Sequence, residues 1–242
     1  MDTTAIAILI AFCTGASLVQ RVSGFGFGIF IMTALPHIMP SYAEATTLSG
    51  LLSASQSLLI AIKLRDKVSW PRMLPILITF LIVSYLAVQF VALADDGTLK
   101  KILGIILIIA SIYFLFISER VHVKPTLPIQ ISMGSISGMM GGLFAMQGPP
   151  AVLYFVASEP TKENYLAMTQ MYFLIGNIVM TAFRAYNGFL TTAVGLGWIY
   201  AAIGIVVGTW IGTKIFNKIS AHTLKQIIYI YMAISGVIAI LS

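Results

Sequence analysis

Glycine and proline gather at two places in this chain, Gly24-Phe25-Gly26-Phe27-Gly28 and Gln147-Gly148-Pro149-Pro150, and each interrupts a long apolar run. Glycine lets the backbone approach a ligand closely, and proline, lacking an N–H, cannot continue a helix from the preceding turn. A helix that restarts after such a break presents unpaired N–H groups and the positive end of its dipole, which together attract anions. Restarts are expected near Gly26 and Pro149, with a second interruption at Gly141-Gly142. Arg21 precedes the first break and is the one basic residue that hydropathy places away from a loop. Such a charge pairs with a bound anion, reaches an interface or binds backbone carbonyls. Gln56, Gln147 and Asn177 stand in apolar surroundings and could donate amide hydrogen bonds to oxyanion oxygens. Interhelical bonding is the alternative for them, and the preferred reading for Gln170. Phe25 and Phe27 either gate a pocket or pack in a core. The candidate binding set is therefore Arg21, Gly24, Phe25, Gly26, Phe27, Gly28, Gln56, Gln147, Gly148, Pro149, Pro150 and Asn177.

Other chemistries lack their residues. No HExxH, GxSxG or Walker lysine motif is present, and Asp, His and Cys do not cluster, so neither an enzyme nor a metal or cofactor site is expected. The single Cys13 allows no internal disulfide. All acidic residues fall at or near expected loops or helix ends, which argues against a carboxylate proton relay. The net charge of +6 comes from short loops and forms no basic tract, so nucleic acid is not an expected partner.

The elements that must position these residues are helices in lipid. With 59% apolar residues, 9% charged residues and a mean hydropathy of +0.97, a soluble surface could not be covered. Spanning runs of about 20 residues are expected over 43–62, 73–94, 99–117, 165–185, 193–216 and 223–241. Ser41 with Glu44 reads as a capping box, Asp95-Asp96-Gly97 as a tight turn. Stretches 4–39 and 129–157 are too long for one helix and hold the breaks. Because the order repeats, the chain reads as an all-α polytopic membrane protein of two homologous halves, 1–118 and 129–242, joined by a linker at 119–128.

Charge decides how the broken stretches run. If each goes in and returns as a hairpin, Lys63, Arg65, Lys67, Arg72, Arg120, Lys124, Lys162, Lys214, Lys218 and Lys225 share one side, against Lys100, Lys101 and Arg184 on the other. A single crossing splits the charges almost evenly. The biased arrangement obeys the positive-inside rule, puts both termini outside the cytoplasm and makes the halves inverted repeats. Arg184 then reads as an interfacial anchor.

The two glycine-rich breaks, Gly141-Gly142 and the two-half order resemble the TauE/SafE, or sulfite exporter, family over essentially the whole chain. That resemblance implies a secondary transporter in the cell membrane, exporting sulfite, thiosulfate or an organosulfonate. The break residues Gly24, Gly26, Gly28, Gly148, Pro149 and Pro150 would be its carried-over site, although here phenylalanine interleaves the first glycines. Partners implied are the small anion and the lipid bilayer, with proton coupling and a homo-oligomer left open. An anion channel or an accessory membrane subunit is the alternative.

Overall fold

The computed structural model describes residues 2–117, 124–215 and 221–241. Residues 119–123 of the expected linker, with Arg120 among them, and Lys218 of the charge bias lie outside the described residues. Among the described residues the secondary structure is α-helical, without strands: α1 (Thr3–Ser23), α2 (Phe27–Ile31), α3 (Leu35–Ile38), α4 (Tyr42–Lys63), α5 (Trp70–Leu93), α6 (Asp96–Ile112), α7 (Leu127–Phe144), α8 (Gly148–Ser158), α9 (Lys162–Tyr186), α10 (Thr192–Ile215) and α11 (Ala221–Leu241). A π-helical turn, Tyr113–Ile117, prolongs α6. Among the described residues, six helices are long and apolar enough to cross a membrane, namely α1, α4, α5, α6 with its π turn, α9 and α10. The protein is a multi-pass membrane protein.

Local chemistry sets the ends. Asp2 accepts the Ala5 N–H at 2.7 Å, Asp95 the Thr98 N–H at 2.8 Å and Thr161 the Asn164 N–H at 3.1 Å. Each satisfies a donor that the first helical turn leaves without an acceptor. Asp95 is thus the cap of α6 and Asp96-Gly97 its first turn, where the sequence suggested a separate tight turn. Ser41 caps α4, but the Glu44 carboxylate reaches across to the Thr191 hydroxyl at 2.6 Å instead of closing a capping box on the Ser41 N–H. The second broken stretch begins at Leu127, inside the expected linker, because Pro128 is tolerated in a first helical turn.

Burial separates the centre from the rim. In their most apolar windows α4 is 67% and α9 61% buried, against 28% for α10, so the α4–α9 pair is the centre of the bundle. Around it stand large apolar side chains such as Leu86, Phe90, Val206 and Trp210, exposed on the outer faces. Lipid is the solvent for those faces.

Backbone approach between helices rests on glycine spacing that the sequence reading did not use. Gly204, Gly208 and Gly212 of α10 face, in order, Ile10 with Cys13, Thr14 with Ser17, and Leu18 with Arg21 of α1. Gly134, Gly138 and Gly142 of α7 likewise face Ile76, Phe80 and Ser84 of α5. The ascending order on both partners makes each pair parallel. α4 lies antiparallel to α9, with the Gly50 position beside Thr181 and the Thr46 carbonyl bonded by Arg184, and Gly104 of α6 meets Gly236 of α11 backbone to backbone. Gly142 is therefore a packing residue inside an unbroken α7, and Gly141-Gly142 is not an interruption; the turn comes after Phe144.

A methyl at Gly208 would overlap the Thr14 carbonyl oxygen. Gly208→Leu should force α1 from α10 and lower the thermal midpoint by 5 °C or more, on the order of one to several kcal/mol of overpacking, read by fluorescence-detected size exclusion after heating.

Candidate functional site

At the first break, the chain leaves α1 through Gly24 (φ +84°) and enters α2 through Gly26 (φ +98°), left-handed conformations that glycine adopts without steric cost. The Gly24 N–H closes α1 on the Gln20 carbonyl at 2.8 Å, and the Ser23 hydroxyl bonds the Val19 carbonyl at 2.8 Å. The Gly24 carbonyl accepts the Gln170 amide of α9 at 2.8 Å. The Gln20 amide nitrogen reaches the Ser57 hydroxyl at 3.3 Å and the Gln170 amide oxygen at 3.2 Å. Backbone polar groups at membrane depth must be satisfied by protein or by water in a cavity, and the Gln170 amide satisfies the Gly24 carbonyl from the side.

The second break is closed by other chemistry. Ala145 turns the chain with φ +54°, and the Met146 N–H bonds the Met140 carbonyl at 3.1 Å. Three α7 carbonyls receive side-chain donors: Arg184 of α9 bonds Gly141 at 2.9 Å and Gly142 at 3.2 Å, and the Tyr42 hydroxyl bonds Leu143 at 3.0 Å. Arg184 also donates to the Thr46 carbonyl of α4 at 3.1 Å. A cation at a helix C-terminus meets the negative end of the dipole, which offsets part of the cost of burial. Arg184 is 1% exposed, and no carboxylate among the described residues lies within ion-pair distance of it. The guanidinium therefore puts a charge without a counter-ion into the centre of the bundle.

The two turns touch. A methyl on Gly28 would overlap the Ala145 carbonyl oxygen, so only glycine permits the crossing. Between them lies a chamber of about 20 Å³ lined by Gln20, Gly26, Phe27, Gly28, Ile29, Ser53, Ala145, Met146, Gln147, Gly148, Phe173 and Asn177. At 1.5 Å per residue, Ser53 is about 16 Å along an α4 of about 33 Å, so the chamber is near mid-membrane. Asn177 is 1% exposed, and neither its amide nitrogen nor its amide oxygen has a hydrogen-bond partner. The Thr181 hydroxyl, one turn on, is also buried and unpartnered. Unpaired buried amides are rare because desolvation costs about 1–3 kcal/mol per group, and Asn177 is the residue of the chamber lining in that condition. The Gly50 position is flanked by Thr181, the Arg184 guanidinium and the Asn177 amide oxygen.

Beyond the Gln20–Gln170 pair opens a vestibule of about 500 Å³, lined on its polar side by Gln20, Arg21, Ser55, Gln56, Lys63, Lys162, Gln170, Thr209 and Thr213. Gln20 belongs to both spaces and partitions them.

Of the residues singled out in sequence, Gly26, Phe27, Gly28, Gln147, Gly148 and Asn177 meet at the chamber, whereas Arg21, Gly24 and Gln56 line the vestibule. Arg21 donates to the Thr213 hydroxyl at 2.9 Å, and Gln56 accepts from Thr209 at 3.2 Å. Phe25, Pro149 and Pro150 line neither space. Phe25 packs its ring 5.8 Å from that of Phe114, and the prolines are buried in the first turn of α8. Those prolines also reduce the expected cluster of N–H donors, since two of the first three residues of α8 carry none. Arg184, read as an interfacial anchor, is instead at the core. Gln20 and Phe173 line the chamber and Arg184 stands behind it, although none of the three was singled out as a site residue, whereas Gln170 makes the interhelical bonds preferred for it, to the Gly24 carbonyl and with Gln20. One signal could have found two of the α9 residues: Gln170, Asn177, Thr181 and Arg184 recur at helical spacing on one face. Glu44 and Glu159, the latter 3.5 Å from Arg72, line neither space.

The model of the family described as "Sulfite exporter TauE/SafE" matches residues 7–238. A curated relative, "Probable sulfite/organosulfonate exporter TauE" of Cupriavidus necator, is 22% identical over 222 residues, covering 87% of this chain and 84% of the relative. No solved structure matches the chain.

Proposed function

Because this chain belongs to the sulfite exporter TauE/SafE family, we propose that it is a secondary transporter of a small oxyanion such as sulfite, thiosulfate or a short organosulfonate, held in the chamber between the two breaks and exported by alternating access. The observation that carries this reading is the buried, unpartnered Asn177 amide facing the chamber with the Arg184 charge close behind it. The amide nitrogen, the Gly28 and Gly148 N–H groups and the nearby hydroxyls supply neutral donors. The guanidinium supplies long-range attraction without a direct ion pair, which would slow release. No carboxylate lines the chamber to repel an anion.

A chamber of about 20 Å³ holds roughly one water, so an oxyanion requires the helices around it to move. One-sided access supports alternating access over an open channel: a wide vestibule ends at the Gln20–Gln170 pair on one side, and on the other Tyr42 and Arg184 lock α7 to α4 and α9. The helix pairing also supports inverted repeats of 1–118 and 129–242. Exchanging the halves sends the parallel pair α1 and α10 onto α7 and α5, and the antiparallel pairs α4 with α9 and α6 with α11 onto themselves. Lys63 and Lys162 at the vestibule support a cytoplasmic opening by the positive-inside rule, which suits loading for export.

The test is flux of radiolabelled sulfite, thiosulfate and methanesulfonate through proteoliposomes, with chloride and acetate as competitors and a pH gradient imposed. Saturable sulfur-oxyanion flux that chloride does not suppress is expected. Non-saturating flux would favour a channel, and no flux from folded protein would favour an accessory subunit.

A further inference from the structure

The vestibule is far larger than an inorganic oxyanion needs, and its lining carries both cations and aliphatic side chains. Three cations from three helices, Arg21 at the end of α1, Lys63 at the end of α4 and Lys162 at the start of α9, stand on its lining, and no carboxylate is among the lining residues. The same lining is aliphatic at Leu64, Leu166 and Ile205, which are partly buried. Sulfite has nothing to gain from an apolar wall. An anion with a hydrocarbon body gains about 25 cal/mol for each Å² of that body it buries, and about 500 Å³ lies within the usual range for enclosing an organic ligand, roughly 300–1,000 Å³.

We propose that the vestibule is a second binding site, separate from the chamber, for organic anions that carry an apolar body, with the acid group held at Arg21, Lys63 and Lys162 and the body laid on Leu64, Leu166 and Ile205. Such a ligand rests against the Gln20–Gln170 partition and blocks the approach to the chamber. Occupancy does not require that the ligand be transported, so the proposal goes beyond the transport reading and is measured without flux.

The probe is 4-fluorobenzenesulfonate, followed by fluorine NMR line broadening on the full chain in zwitterionic nanodiscs, with empty nanodiscs as the blank. Saturable binding is expected, displaced by benzenesulfonate at a concentration at least tenfold lower than by methanesulfonate. The double variant Lys63→Gln with Lys162→Gln, at the solvated rim where folding is least exposed to the change, should weaken binding about tenfold. Ile205→Ser should bring the benzenesulfonate and methanesulfonate affinities within about threefold of each other. Equal displacement by the two sulfonates in the unaltered protein would overturn the proposal, as would undiminished binding in the lysine double variant. A further arm separates a soluble anion from a lipid headgroup. Replacing a third of the lipid with phosphatidylglycerol should leave the affinity within about twofold, and a loss above tenfold would reassign the site to anionic lipid. Protein that transports sulfite but does not bind the probe would refute this proposal alone; protein that binds the probe but carries no anion would refute only the transport reading.

Discussion

Asn177→Leu is expected to cut oxyanion flux by about 10- to 100-fold while leaving membrane abundance and thermal midpoint at or above those of the unaltered protein. Both polar atoms of the Asn177 amide are buried without a partner in the absence of ligand, so an apolar side chain of similar size removes a desolvation cost and no internal hydrogen bond. What it takes away is at least one donor to a charged ligand, worth about 1.5–3 kcal/mol, and each 1.4 kcal/mol is a factor of ten. The two readings of the residue separate cleanly. A structural asparagine would lose stability and flux in parallel, whereas a ligand-facing one loses flux alone. A fall of several degrees in the midpoint alongside the flux loss would place Asn177 in the packing and leave the chamber without its principal donor.

Arg184→Ala should have the opposite profile, with little folded protein reaching the membrane. Its guanidinium donates to the carbonyls of Thr46, Gly141 and Gly142. Interhelical hydrogen bonds in membranes average about 0.6 kcal/mol, while a carbonyl left buried and unsatisfied costs about 1–3 kcal/mol. Three such groups give roughly 3–9 kcal/mol, comparable to the whole stability of many proteins. Arg184→Lys is the informative companion. It keeps the charge but loses the planar fork that reaches two helices at once, so folded protein should be partly restored. If the positive charge also attracts the anion, the lysine protein will show a raised KM with a less affected maximal rate. An Arg184→Ala protein that assembles at normal abundance would mean that water, not the guanidinium, caps α7.

Why Asn177 was legible and Arg184 was not is a matter of what each kind of signal encodes. An asparagine in an apolar run is conspicuous in one dimension, because hydropathy alone marks it as needing a partner. Arg184 lies two residues before the end of α9, where hydropathy cannot tell an interfacial anchor from a buried cap. The difference is made by α7, which ends at Phe144 beside it, and by the carbonyls that this end leaves unpaired. Similarly, Gly141-Gly142 and Gly148-Pro149-Pro150 look alike as helix breakers in sequence. Only the neighbour distinguishes them: Gly142 abuts Ser84 and Ala87 of α5, so its missing side chain makes room for another helix rather than bending its own.

Hydropathy and local side-chain chemistry suffice to show that this chain dissolves in lipid, where the spanning helices α4, α5, α6, α9 and α10 lie, and that two apolar segments are interrupted, because hydrophobicity and glycine or proline act within a few residues of themselves. Tertiary structure alone decided that the two turns cross at Gly28 and Ala145, that one is closed by Gln170 and the other by Arg184, that Asn177 is left without a partner and that Arg21 faces the vestibule rather than the chamber. Each of these is a contact between groups distant along the chain, set by which helix faces meet when close-packed glycines bring the backbones together.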